Sequence, residues 1–190
     1  MAREKIGRSE GWPGESAGWR KATLLAPVAG GAFAADVLTK TLVERHFHLY
    51  EQVPVVGDYL RLTLLYNPGA AFGISLGEYS RAGFLVLTVV ALIALVAMYM
   101  TTPLRDRARL FALSLVVGGA LGNLWNRIVS PRGVTDWIDV GLGDLRWPIF
   151  NLADIAITIG AVFLALSLWR EDARERPHDA QEREAPSQAG

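Results

Sequence analysis

The chain has 190 residues, 51% of them hydrophobic, with 19 Lys and Arg balanced by 19 Asp and Glu and no cysteine. Zero net charge gives no electrostatic case for nucleic acid as a partner, and the missing cysteines exclude disulfides, thiolate metal sites, a cysteine nucleophile and lipidation on the chain's own thiol. The three histidines, His46, His48 and His178, make no metal-ligand signature, so neither a metal nor a cofactor is expected.

Residues 1–21 are polar with no hydrophobic period and read as a disordered leader. The first apolar run, 22–43, is long enough to cross a bilayer core of about 30 Å at about 1.5 Å per residue. Arg20 and Lys21 before it, and Ala32-Phe33-Ala34 within it, have the form of a cleavable signal peptide. The long polar leader and the continuation to Leu42 and Val43 favour a retained helix. Asp36 and Lys40 share one face of that helix. The spacing fits an internal ion pair, a support for an active site, or a contact to a lipid headgroup.

Residues 44–81 have a different texture. Val53 to Asp58 reads as an edge strand and turn, Tyr59 to Tyr66 partly alternates, and Asn67-Pro68-Gly69 is a turn signal. Ala70 to Ile74 follows, small and apolar. A β-rich extramembrane subdomain lying against the bilayer is expected. The second span, 82–102, has no charge and should face lipid. Pro103 ends it, and Arg105, Arg107 and Arg109 follow in a short loop. The third span, 110–128, carries Gly118 and Gly122 on a small-residue face suited to close helix contact, and Asn123 and Arg127 share a face near its end. Residues 129–148 read as a second outer loop holding Asp136, Asp139 and Asp144. The fourth span, 149–169, is headed by Phe150-Asn151-Leu152-Ala153-Asp154, and the charged tail 170–190 is expected to be disordered.

The basic residues are densest at Arg20 and Lys21, in the loop after Pro103, and at Arg170, Arg174 and Arg176. By the positive-inside rule these ends are cytoplasmic, so both termini are inside and the two longer segments are outside. The expected fold is an α-helical membrane protein with four transmembrane helices and a β-rich subdomain on the outer face. Asp36, Lys40, Asn123, Arg127, Asp136 and Asp154 then meet at the outer boundary. Two carboxylates in a partly dry setting can share a proton. One takes a proton from water and the other donates to a scissile carbonyl or leaving amine, the division of labour in aspartic proteases. Arg127 and Asn123 can orient such a dyad or bind a phosphate or carbonyl, and Asn67 with the Gly69 backbone can hold an extended peptide. A proton relay uses similar residues, but here the charges gather at one face. A non-catalytic proton-coupled or scaffolding membrane protein is the alternative.

Four blocks in this order resemble the lipoprotein signal peptidases, the type II signal peptidases of bacteria. They are Asp36-Val37-Leu38-Thr39-Lys40, Asn67-Pro68-Gly69-Ala70-Ala71-Phe72, the run from Gly118 to Arg127, and Val134-Thr135-Asp136 paired with Phe150 to Asp154. The resemblance implies an aspartyl intramembrane peptidase of the bacterial cytoplasmic (inner) membrane, inhibited by globomycin. Its substrate would be a prolipoprotein carrying a diacylglyceryl-cysteine, cut just before that cysteine. The family's catalytic dyad carries over to Asp136 and Asp154, and its substrate- and inhibitor-contacting residues to Asn67, Asn123, Arg127 and Asn151. Asp36, Lys40 and Gly69 are expected to support them, with membrane lipid as the other partner and the chain as a monomer. One departure is Asn126, where the family commonly has Asp. Asp139 competes for the role of the loop carboxylate, but Asp136 has the family's setting between an apolar segment and an aromatic residue.

Overall fold

A computed structural model describes the backbone of residues 13–69 and 79–184, with side chains from 18 to 171 except around the 70–78 gap and at 81. The short apolar segment expected at Ala70 to Ile74 lies outside the described residues. The elements in order are helix α1 (Pro13–His46), strands β1 (Gln52–Val56) and β2 (Leu60–Asn67), helices α2 (Ser80–Thr101) and α3 (Arg107–Val129), strands β3 (Val134–Leu142) and β4 (Leu145–Arg146), and helix α4 (Leu152–Glu184). All four helices contain a stretch long and apolar enough to cross a membrane.

Helix α3 is the centre of the bundle, packing against α1, α2 and α4. Its membrane-length stretch is 61% buried, against 6% for that of α2, which is uncharged from Ala82 onward and whose Val86, Val90 and Ile93 point outward as a lipid-facing helix requires. Small residues allow the close approach on which helix association in lipid depends. A Cβ at Gly118 would lie 2.6 Å from the Ala29 carbonyl oxygen of α1, and one at Gly119 would lie 2.5 Å from the Ala153 carbonyl oxygen of α4. A Cβ at Gly122 would collide with the Asp36 carboxylate. Ala29, Leu92, Val117 and Ala120 fill the space between α1, α2 and α3.

At the basic end, the Tyr99 hydroxyl donates to the Lys21 carbonyl at 2.7 Å, and the Lys21 ammonium donates to the Met100 carbonyl. Arg109 pairs with Asp106 at 3.1 Å and with Glu171, which ties α3 to α4.

The opposite end carries one antiparallel sheet in the order β1-β2-β3-β4. The expected outer loop at 129–148 is therefore largely strand. Residues Val134, Thr135, Asp136, Ile138 and Asp139 are all buried, so β3 lacks the alternation that marks a strand with one wet face. Pairing with β2 sets Leu65 opposite Asp136, Tyr66 opposite Thr135 and Asn67 opposite Val134. Helix α4 starts at Leu152 rather than 149, because Phe150 exchanges backbone hydrogen bonds with Ile138 of β3 at 2.8 and 3.1 Å.

Two helices overrun their expected ends. Helix α1 begins at Pro13, inside the expected leader, with a proline in the first helical position that suits it. Helix α4 continues through residues 170–184, expected as tail, where Glu, Arg and Ala extend a helix already nucleated in the membrane.

Candidate active site

The start of α4 is closed by a reciprocal cap. Asn151 Oδ1 accepts from the Asp154 backbone N–H at 3.0 Å, and Asp154 Oδ2 accepts from the Asn151 backbone N–H at 3.2 Å. This is a capping box built from Asn and Asp, and a carboxylate suits the positive end of a helix. The cap fixes Asp154 at the membrane boundary, half-buried. The Asn151 side chain, fully buried, also donates to Asp136 Oδ1 at 2.6 Å. A single asparagine thus holds both carboxylates.

Asp136 comes from β3 and is buried. Its other oxygen accepts from Asn67 Nδ2 at 3.2 Å, and Asn67 Oδ1 in turn accepts from the Gly69 backbone N–H at 3.0 Å. Gly69 has a φ of +112°, a conformation an L side chain rarely adopts, and a Cβ there would press on Phe84. Burial pushes the Asp136 carboxyl up to about 7, and the nearby Asp154 charge pushes the same way, against the amide hydrogen bonds from Asn151 and Asn67.

The second carboxylate is held from the helix side. Asn123 on α3 donates to Asp154 Oδ1 at 2.8 Å, and its own Oδ1 accepts from Asn151 at 3.2 Å and from the Lys40 ammonium at 2.9 Å. Lys40 also pairs with Asp36 at 2.7 Å, both of them buried. Asp36 Oδ1 accepts from the Ala153 backbone N–H at 2.9 Å. The Asp36–Lys40 pair is therefore an ion pair within α1 and, in addition, a strut reaching α3 and the first turn of α4.

Asp136, Asp154, Asn67 and Arg127 line a cleft of about 600 Å³ whose walls include Phe84, Trp147, Ile155 and Ile159. The Arg127 guanidinium lies over the Phe84 ring, 5.8 Å from its centroid. Polar groups at the floor with apolar walls suit an amphipathic ligand. A second cavity of about 630 Å³ lies at the basic end, far along the helices, where Arg109 is already paired with Asp106 and Glu171.

Residues 28–170 match the family model described as signal peptidase (SPase) II. The chain belongs to the signal peptidase II family. It is 40% identical over 143 residues to a lipoprotein signal peptidase of Syntrophus aciditrophicus, covering 74% of this chain and 88% of that relative. To one of Geobacter metallireducens it is 39% identical over 151 residues, 78% of this chain and 91% of the other. A solved structure described as a bacterial membrane enzyme superposes with a TM-score of 0.71 at 30% identity, covering 79% of this chain and 90% of that one. The protein is thus a peptidase, a hydrolase of signal peptides, and a multi-pass protein of the bacterial inner membrane.

The matched stretch holds every candidate site residue named from the sequence, and Asp36, Lys40, Asn67, Gly69, Asn123, Asn151, Asp136 and Asp154 form one connected network. Asp139 is not part of it. Its carboxylate accepts from Arg146 Nε at 2.6 Å and from the Thr63 hydroxyl at 3.2 Å, on the hairpin side of β3. At this end Gly133 escaped the sequence reading, and Asn126 was noted there only as a departure from the family. Gly133 has a φ of +106°, and a Cβ there would strike the backbone of Asn67, so only glycine lets β3 start alongside Asn67. A glycine just before a strand is the signal that could have found it. Asn126 accepts from the Thr135 backbone N–H at 3.4 Å, anchoring the residue before Asp136.

Proposed function

We propose that the chain is an intramembrane aspartyl endopeptidase. It removes the signal peptide from diacylglyceryl-modified prolipoproteins, cutting just before the lipid-modified cysteine. The observation that carries this reading is that one buried asparagine, Asn151, bonds two carboxylates at the floor of a cleft with apolar walls. Asp136 and Asp154 are the catalytic pair.

Asp136, held near 7, is the group that keeps a proton at neutral pH. Asp154 is the base. Its carboxylate takes a proton from water, and the resulting hydroxide adds to the scissile carbonyl carbon while Asp136 gives its proton to the carbonyl oxygen. In the second half Asp154 passes the proton it took to the leaving nitrogen, Asp136 recovers one from the diol, and the C–N bond breaks. The products are the carboxylate end of the signal peptide and the free amine of the lipid-bearing cysteine, and both aspartates return to their starting states.

Asn67, Asn123, Arg127 and Asn151 bind substrate or a peptide inhibitor such as globomycin. Asn67 and Arg127 sit at the cleft wall, where they can meet peptide carbonyls. Asp36, Lys40 and Gly69 support these groups through the bonds already described. The partners are the prolipoprotein and membrane lipid, and the working unit is a monomer. The basic end, with Lys21, Arg105, Arg109 and Arg170, is cytoplasmic by the positive-inside rule, so both termini are inside and the dyad works at the outer face. The deciding experiment is a gel-shift cleavage assay on a diacylglyceryl-modified prolipoprotein with the purified protein in detergent. Loss of cleavage in Asp136→Asn and Asp154→Asn is expected, and an unmodified precursor should be left intact. Reporter fusions after residues 60 and 180 test the orientation, and an outside signal from the second would overturn it.

A further inference from the structure

The last turns of α1 reach the back of β3. Thr135, immediately before Asp136, is fully buried, and its hydroxyl donates to Glu44 Oε1 of α1. Its backbone N–H donates to Asn126 of α3, and its strand partner is Tyr66 of β2. Successive side chains on a strand point to opposite faces. The Glu44 grip is therefore on the face opposite the amides of Asn67 and Asn151 that reach Asp136. The charge of Glu44 is also felt at Tyr66, whose hydroxyl is pushed up first by burial and then by Glu44. Arg132 covers the Tyr66 ring at 3.9 Å. An otherwise exposed carboxylate at a helix end is thus the only α1 side chain bonded to this strand among the described hydrogen bonds.

We infer that Glu44 is a positioning residue, which fixes where β3 presents Asp136 by clamping the Thr135 hydroxyl. The inference rests on the reading of Asp136 as catalytic. The dyad gains its two roles from a set distance and orientation, and a displacement of about 1 Å can cost about 10²-fold in rate. The amides on the front face hold the carboxylate, and pairing with β2 and Phe150 holds the edges of β3. The Glu44 and Asn126 bonds add a hold at Thr135, next to Asp136, from behind.

The test measures kcat and KM for a diacylglyceryl-modified prolipoprotein with the purified full chain in detergent. Glu44→Ala and Thr135→Val, which keeps the volume but loses the hydroxyl, should each lower kcat roughly tenfold with KM changed less than about twofold. Glu44→Gln keeps an acceptor oxygen at the same place and should restore most of the rate. The Glu44→Ala/Thr135→Val double variant should be little slower than Thr135→Val alone, because one contact is removed twice. Wild-type kcat in both single variants would overturn the clamp. So would a Glu44→Gln variant as slow as Glu44→Ala, or losses that multiply in the double. Should Glu44→Ala not fold, Thr135→Val against Glu44→Gln carries the same decision. Asp136→Asn is assayed alongside. If it stays active, the reading of Asp136 fails and the clamp has nothing to position; if it is dead while Glu44→Ala and Thr135→Val are normal, only the clamp fails.

Discussion

Asp136 and Asp139 lie on the same strand, each 3% exposed, one toward the helices and one toward the β3–β4 hairpin. At the hairpin end Asp139 meets an arginine side-on at 2.6 Å and a threonine hydroxyl at 3.2 Å. At the helix end the donors to Asp136 among the described hydrogen bonds are two uncharged amides, and the charge acting on it most is the Asp154 carboxylate, with the Lys40 ammonium opposing. A buried charge is costly unless it is paired. The hairpin end follows that rule and makes a structural bridge. The helix end breaks it and keeps a carboxyl that gains and loses a proton near neutrality. Burial alone does not separate the two carboxylates; among the described residues, a directly bonded cation does.

The largest effect that can break this contrast is loss of the dyad. Asp136→Asn and Asp154→Asn should each lower turnover by at least ~10³-fold, and the double variant should be little worse, since the two act as a unit. In the wild type, activity should fall as pH rises through about 7, when Asp136 loses the proton it donates. The stability sign runs with it. A carboxyl whose folded value is raised contributes stability that is fully present below its ordinary range and is lost as pH rises through the folded value. Asp136→Asn should therefore melt higher than wild type at about pH 8, with the gap closing toward about pH 5. Near-normal cleavage by either folded single variant would refute the assignment.

The strut from α1 comes next. Replacing only Asp36 by Leu, or only Lys40 by Met, leaves an unpaired buried charge, at a cost of about 3–5 kcal/mol. The double replacement should recover folding. It should not recover the rate, because the Ala153 N–H and the Asn123 oxygen both lose partners, and turnover should stay down by about 10²-fold. A folded, fully active double variant would show that the pair only neutralises itself.

Much of this site was legible in the sequence because its parts lie on helices or at turns. The spans followed from apolar length, the Asp36–Lys40 contact from a spacing of one helical turn, and the Asn67 turn from its Pro and Gly. The strand that carries Asp136 was not legible as a strand. It is buried on both faces, so its polar and apolar residues do not alternate, and its partner Asn67 is 69 residues away. Asn151-Leu152-Ala153-Asp154 did contain a readable cap, which dates the helix start three residues later than apolar length does. The Glu44–Thr135 contact, spanning 91 residues, left no local trace.

Asp139 sharpens the comparison from the other side. Asp139→Asn removes the closer of the two ion-pair partners of the largely buried Arg146, leaving Asp58 at 4.0 Å, and should cost about 1–3 kcal/mol of stability. Turnover per folded molecule should stay within a few-fold, because nothing in the dyad network bonds to it. A folded but inactive Asp139→Asn would move the loop carboxylate to the hairpin end.

The smallest effect is expected at Asn126, the position where the type II signal peptidases commonly have Asp. Asn126 is 7% exposed and contributes its side-chain oxygen to the Thr135 N–H at 3.4 Å. An aspartate keeps an acceptor at that place and, when ionised, makes the bond stronger. It also adds a negative charge behind β3, which opposes ionisation of Asp136. The two consequences act on different quantities. The first preserves the position of Asp136, so turnover at the pH optimum for Asn126→Asp should stay within a few-fold of wild type. The second should move the alkaline limb of the pH profile upward, since Asp136 then holds its proton to higher pH. Measuring turnover from about pH 5 to about pH 9 separates them. A change of more than about tenfold at the optimum, in either direction, would mean that this residue acts on the dyad by more than its hold on Thr135.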